Sequence, residues 1–359
     1  MKKHANLSIF VPHAGCPAHC SFCDQRAITA QQAPPTPEEV TALCERFLPK
    51  AADAAAQMQS AAQPQAIAHA DAAAHTQAAA NTEIAFFGGS FTAIDAAYRR
   101  ALLCAAQPFI KAGRCKGIRI STRPDAIDAQ ILQELSCFGV TAIELGAQSM
   151  DDTVLRKNAR GHSAEDVRCA ARLIKQGGFS LGLQMMPGLY GEENARDGAV
   201  NTLMQLLQLA PDTMRIYPAV TLRGTALARL YQEGAYTPLT LQEAVSISAQ
   251  LLLLCEGANV RVIRMGLAAD EGLCARVVAG PYHPAFRQLC EAEIYYAAIA
   301  KKLYAEAAGR YNITVALGMR SNAAGQKNAN IRRFQENGYQ ISITESPALT
   351  GRAFTWQKQ

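Results

Sequence analysis

Leu7-Ser8-Ile9-Phe10-Val11-Pro12-His13-Ala14-Gly15-Cys16-Pro17-Ala18-His19-Cys20-Ser21-Phe22-Cys23 joins a short apolar run to three cysteines spaced C-x3-C-x2-C. Leu7 to Val11 has the length and apolar character of a strand, and the cysteines follow its C-terminal end directly. Three thiolates closing on one loop can hold three irons of a cubane. A closed structural site wants a fourth ligand, and no other cysteine lies nearby in sequence, which leaves one metal position open for chemistry. Two other readings compete: a zinc site completed by His13 or His19, and three unrelated buried thiols. The cysteines at 44, 104, 115, 137, 169, 255, 274 and 290 are scattered and read as small buried apolar residues, which speaks against a second cluster.

Working outward, strand-like runs recur at Ile84 to Phe87, Ile118 to Ser121, Val140 to Leu145, Phe179 to Met186 and Met214 to Val220, with helical stretches between them. Short strands alternating with longer helices predict parallel βαβ units. Thr36-Pro37-Glu38-Glu39 combines an N-cap, a first-turn proline and a capping-box glutamate, and Ser163-Ala164-Glu165-Asp166 opens another helix in the same style. Six such units over residues 1–235 predict an α/β fold, a partial (β/α)6 TIM-like barrel; a doubly wound open sheet is the alternative.

Residues 51–80 interrupt the pattern with sixteen Ala and five Gln and read as a low-complexity surface insertion, in which His69 and His75 carry no chemistry. Residues 236–359 form a C-terminal α+β extension: a helix at Leu241 to Glu256, a strand at Val260 to Ile263 and a long helix from about His283 to Glu306. Its end, about 313–346, reads as a strand (Ile313 to Leu317), a helix (Ser321 to Glu336) and a strand (Gln340 to Thr344).

The bulk numbers set bounds. A chain of 359 residues, 49% hydrophobic, supports one large domain and a smaller appendage. Its formal charge of +5 permits a nucleic-acid partner without implying one. The start turns polar after Ala5, and no run approaches the roughly 18 uncharged apolar residues of a membrane span. A cytoplasmic chain with reduced cysteines and no membrane partner is expected.

Polar groups cluster where the predicted strands stop. Phe87-Gly88-Gly89-Ser90-Phe91-Thr92 places two glycines where backbone can approach a ligand. Later strand ends carry Ser121, the run Glu144-Leu145-Gly146-Ala147-Gln148, and Gln184. Repetition over successive units predicts a pocket ringed by strand ends. Glu144 stands out, because a carboxylate within an apolar strand is costly to bury without a partner.

The cysteine spacing, down to the aromatic Phe22 before the third cysteine, resembles the radical S-adenosylmethionine (SAM) superfamily. With Leu155-Arg156-Lys157-Asn158-Ala159-Arg160-Gly161-His162 added, residues 7 to 225 resemble the radical domain of the catalytic subunit of Elongator and, more distantly, the oxygen-independent coproporphyrinogen oxidases. The resemblance implies a 4Fe-4S cluster on Cys16, Cys20 and Cys23, whose open iron is chelated by the methionine part of SAM. It implies reductive cleavage to a 5′-deoxyadenosyl radical, with an electron donor such as flavodoxin or ferredoxin. It also implies cofactor contacts at Phe22, Gly88, Gly89, Ser90, Thr92, Ser121, Glu144, Gln148, Arg160 and Gln184. Gln148 and Arg160 keep a twelve-residue separation found in the oxidases, and the planar fork of Arg160 suits the methionine carboxylate. Ser121 and Gln184 depart from that group, which has acidic residues there.

The words Arg160-Gly161-His162, Met185-Met186-Pro187 and Arg215-Ile216-Tyr217-Pro218 lean toward Elongator. The archaeal and eukaryotic Elongator subunits have a longer first cysteine gap, and their acetyltransferase domain is not expected within these 359 residues, so acetyl transfer to wobble uridine is not expected to carry over intact.

Near the C-terminus, Gly325-Gln326-Lys327-Asn328 resembles the Gly-x-x-Gly loop of a KH module with Asn in place of the second Gly. Lys327, Arg332 and Arg333 would then face an RNA backbone; a solvated helix face on a packing unit is the alternative. The expected function is radical SAM modification of an RNA base, in tRNA. A porphyrin-handling protein and a zinc-containing RNA-binding protein are the rivals.

Overall fold

Apolar and polar residues alternate along the strands in a way that gives a sheet two different faces. A computed structural model describes residues 5–12, 14–16, 20–24, 28, 33–49, 82–267 and 271–359. The expected insertion at 51–80, and His13, His19, His69 and His75, lie outside the described residues.

Seven strands pair in parallel in one sheet: β1 (Ala5–Val11), β2 (Thr82–Gly88), β3 (Gly117–Thr122), β4 (Val140–Gln148), β5 (Ser180–Met185), β6 (Thr213–Ile216) and β8 (Arg261–Met265). They stand in strict chain order, without the reversal that a doubly wound sheet requires. The sheet is therefore a curled half-barrel, extended by one strand beyond the six units that the sequence pattern predicts. That seventh strand, β8, comes from the stretch beyond residue 235.

The convex face carries Ile9, Ile84, Phe86, Ile118, Ile120, Ile143, Leu181, Leu183, Met214 and Ile216, all buried. It packs on α1 (Pro37–Phe47), α2 (Ala96–Lys111), α3 (Ala129–Cys137), α5 (Ala164–Gln176), α6 (Ala195–Leu207) and α8 (Leu241–Gly257) in one apolar core. The short α4 (Asp152–Lys157) follows β4. Burying one such Ile or Leu contributes about 1.5–3 kcal/mol. Both expected capping boxes form, Thr36 with Glu39 and Ser163 with Asp166.

Beyond β6, Pro218 interrupts the run expected to reach Val220 as one strand, since proline cannot donate to the ladder. The chain continues as β7 (Thr221–Leu222) and α7 (Ala226–Gln232). After β8 come α9 (Glu271–Cys274), β9 (Val277–Ala279), which pairs with β7, and the long α10 (Phe286–Leu303).

The C-terminal unit has its own core of Ile299, Leu303, Tyr311, Ile313, Val315, Phe334 and Ile343. Its helical stretch is two pieces, α11 (Arg320–Ala324) and α12 (Ala329–Glu336). Positive φ at Gly325, Lys327 and Asn328 breaks the expected single helix. β10 (Gly309–Ala316) runs parallel to β11 (Tyr339–Ser346) and antiparallel to β12 (Phe354–Lys358), a strand the sequence pattern did not predict.

Candidate functional site

The cysteine loop is anchored by backbone. Ser21 N–H donates to the Asn158 carbonyl at 3.1 Å, Ser21 Oγ donates to Asn158 Oδ1 at 2.6 Å, and Leu227 N–H donates to the Ser21 carbonyl at 2.7 Å. Asp24 pairs with Arg276. On the other side the loop lies against the turn after β2: Gly89 N–H donates to the Val11 carbonyl at 2.8 Å and Ser90 N–H to the Ala14 carbonyl at 2.9 Å. A Cβ on Gly89 would sit 1.9 Å from the Ala14 oxygen, and Gly88 has φ +107. The glycine pair thus lets the loop dock on the strand end, a role added to the ligand contact read from sequence.

Cys16, Cys20, Phe22 and Cys23 open onto a cavity of about 320 Å³ together with Gly88, Gly89, Ser121, Glu144, Gln148, Arg160 and Gln184. Ser90 and Thr92 are not on its lining; they are buried behind it, where Ser90 Oγ is 2.9 Å and Thr92 Oγ1 2.5 Å from Thr122 Oγ1. Lys327, Arg332 and Arg333 belong to the separate C-terminal unit, and Arg333 is engaged there by Glu293 at 2.7 Å and by the Tyr296 ring. Lys327 and Arg332 are exposed.

Gln148 has a left-handed backbone, φ 66, where the β4–β5 register shifts. Such bulges re-aim side chains beside functional sites, and left-handed non-glycine residues persist only where their surroundings hold them. Here Gln148 Oε1 accepts from Gln184 Nε2 at 3.1 Å, and its carbonyl accepts from Met186 N–H at 2.8 Å.

The concave face also carries ion pairs that the sequence did not reveal. Glu144 accepts from Arg119 Nη1 at 3.2 Å and Arg215 Nη2 at 3.0 Å, and Arg119 Nε donates to Glu83 at 2.7 Å. Arg215 lies over the Phe87 ring and donates to Tyr217 Oη at 3.0 Å. Glu144, 4% exposed, thus has the partners its burial demands. Burial disfavours the charge on Arg215, but Glu144 and Tyr217 outweigh it and raise its pKa above the ordinary arginine value. The usable signal was the i, i+2 placement of Arg119 with Ser121 and of Arg215 with Tyr217 in otherwise apolar strands.

Burial, then its neighbours Cys20 and Cys16, push the Cys23 thiol up to about 12. Burial and Cys20 also raise Cys16, against the pull of Arg123 and Arg160. Thiols so placed give up protons when metal binds them. Burial and the Arg160 cation push His162 down to about 4. Among the described residues, no three His, Cys, Asp or Glu side chains meet as a single metal ion requires. A cubane takes its thiolates on separate irons, and three loop thiols opening onto one cavity are a donor set that suits it.

A parallel half-barrel with three loop thiols at its C-terminal rim, facing a cavity lined by later strand ends, is the architecture of an enzyme built around a metal cluster. The Radical SAM superfamily model matches residues 10–201 and the Radical_SAM C-terminal domain model residues 211–296, and the chain belongs to the radical SAM superfamily. That family uses a 4Fe-4S cluster and SAM. A tRNA uridine(34) acetyltransferase of Dehalococcoides mccartyi is 36% identical over 126 residues, which is 35% of this chain and 28% of that protein. The human Elongator complex protein 3 is 32% identical over 144 residues, 39% of this chain and 26% of that protein. The matches thus span about a quarter of the length of these relatives. Elp3 of the archaeon Methanocaldococcus infernus, solved with an N-terminal deletion, has a TM-score of 0.59 at 20% identity, covering 84% of this chain and 64% of that one. Among the described residues, no helix is long and apolar enough to cross a membrane.

Proposed function

We propose that this chain holds a 4Fe-4S cluster on Cys16, Cys20 and Cys23, cleaves SAM reductively there, and directs the radical to a base of tRNA in the cytoplasm. When bound, the cluster supplies one electron that splits SAM into methionine and a 5′-deoxyadenosyl radical, which takes hydrogen from the substrate or adds to it. The chain's residues position and shield. Ser21, Asp24 and the Gly88–Gly89 turn hold the loop; Gln148 and Gln184 offer amide groups at the strand ends; Phe22 packs among Val154, Leu189, Leu227 and Tyr236 and keeps water from one flank. Glu144 and Arg215 line the cavity on its strand side, with Arg119 paired to Glu144 behind them, and there a polar substrate group can be oriented.

The observation that carries the reading is the opening of all three loop thiols onto one cavity with the Gly88–Gly89 turn, Gln148 and Gln184. The tRNA substrate is supported by the similarity to the D. mccartyi protein, a tRNA uridine(34) acetyltransferase. A one-electron donor of the flavodoxin or ferredoxin class completes the cycle.

Anaerobic reconstitution tests this. Wild type is expected to take up iron and sulfide and, with dithionite, convert SAM to 5′-deoxyadenosine; Cys23→Ala is expected to do neither. Bulk tRNA is expected to gain a nucleoside of altered mass with wild type alone. A wild-type cluster that yields no 5′-deoxyadenosine contradicts the cleavage reading, and turnover that leaves tRNA unchanged contradicts the substrate.

A further inference from the structure

We infer that Arg160, seconded by Arg123, sets the reduction potential of the cluster through a hydrogen bond and buried charge directed at its thiolate ligands. This rests on the cluster assignment proposed above.

The resemblance gives Arg160 a different task, gripping the methionine carboxylate. In the structure its fork is already committed. Nη1 lies 3.1 Å from Cys20 Sγ, and Nη2 donates to the Gly146 carbonyl at 2.7 Å. Nε is buried without a partner, and no carboxylate pairs with this guanidinium among the described residues. With Nη1 on Cys20 and Nη2 on Gly146, the guanidinium is held against the cysteine loop whatever its remaining N–H groups bind. Gly146 lies in the β4 bulge, and a Cβ there would come within 2.8 Å of Gln148 Nε2, so the glycine leaves room for the Gln148 amide beside the guanidinium.

Arg123 stands on the same cavity, 4% exposed, beside Cys16 and Cys20. Asp125 clamps it through Nε at 2.9 Å and Nη2 at 2.8 Å, while Nη1 is buried without a partner. Its charge is partly offset by that carboxylate; the charge of Arg160 is not.

Reduction adds one electron and makes the cluster more negative. Cations and N–H donors near its sulfurs, in a site of low dielectric, stabilise that state more than the oxidised one and raise the potential. Arg160 is therefore the larger lever and Arg123 the smaller. The consequence is a cluster that a one-electron donor of the flavodoxin or ferredoxin class can reduce before SAM binds.

The test is an EPR-monitored redox titration of the reconstituted protein without SAM, in wild type, Arg160→Gln, Arg160→Lys and Arg123→Gln, with iron and sulfide measured on each sample. Arg160→Gln is expected to lower the midpoint by at least about 59 mV, the equivalent of a tenfold loss of the reduced form in a one-electron couple. Arg160→Lys keeps charge but loses the fork, so its fall is smaller and still measurable; Arg123→Gln also gives a smaller fall. Should the glutamine variant lose its cluster, the lysine variant carries the test. Equal midpoints at equal iron and sulfide content overturn the inference, and a variant that only weakens SAM binding returns Arg160 to the carboxylate. A wild type that assembles no cluster refutes instead the assignment beneath it.

Discussion

The two faces of the seven-stranded sheet are built from alternate residues of the same strands and follow opposite rules. On β3, Ile118 and Ile120 point to the convex side and vanish into the helix layer, while Arg119 and Ser121 point to the concave side. On β6, Met214 and Ile216 face the core, while Arg215, and Tyr217 just past the strand's end, face the cavity. The convex face stabilises by removing apolar area from water. The concave face spends that stability on charges that must be paired one by one, and such pairs are poor stabilisers compared with apolar packing. Their presence therefore points to chemistry, and the comparison can be broken experimentally.

The largest effect is expected at Glu144. Glu144→Ala leaves Arg215 without its carboxylate and Arg119 with Glu83 alone, and should cost about 3–5 kcal/mol, read by denaturant unfolding. If the network exists for function, the combined exchange Glu83→Leu, Arg119→Met, Glu144→Leu and Arg215→Met should cost less than Glu144→Ala alone while abolishing turnover of substrate. A combined variant that loses more stability than the single one would make the concave charges structural.

On the other face, Ile120→Ala should cost about 2–5 kcal/mol, with the cavity left behind setting the place in that range. Cluster content per folded molecule should stay at the wild-type level, because Ile120 does not reach the cavity. A loss of cluster at unchanged fold would show that the faces are not separable.

A smaller effect is expected at His162, buried beneath the cavity lining with Nε2 3.2 Å from the Ala147 carbonyl. Its folded pKa of about 4 lies below the reference 6.5, so the unfolded chain binds the extra proton first. The stability it contributes is complete above pH 6.5 and is lost as pH falls from there through about 4, by at most about 3.5 kcal/mol at 1.4 kcal/mol per unit. His162→Gln should flatten that acid limb in unfolding measurements made from pH 4 to 7. An unchanged limb would assign the acid sensitivity to other groups.

What could be read beforehand followed from local chemistry. The loop Cys16, Cys20 and Cys23, the Gly88–Gly89 turn and the two capping boxes are defined by neighbours in sequence, and the structure contains the turn and the boxes as expected. The partners of Glu144 were not legible, because Arg119 and Arg215 lie 25 and 71 residues away and meet it only through strand order. Ser90 and Thr92 belong to the glycine-rich turn in sequence, yet the 3-10 turn at Phe91–Ala93 carries them behind the lining. The membership of β8 in the barrel was hidden for a similar reason: Val260 to Ile263 reads alike at a sheet edge or in an appended unit, and only pairing with β6 decides. In the C-terminal unit, Gly325 and Asn328 were visible as turn residues, but their left-handed φ was needed to split the helix.

The central claim is that the three loop thiols hold a cluster with one iron left for the cofactor. EPR of the dithionite-reduced, reconstituted protein, recorded before and after adding SAM, tests it most directly. A 4Fe-4S signal whose g values shift when SAM is added is the predicted result; a signal that SAM leaves unchanged, or a wild type with tightly bound zinc and no such signal, would contradict it.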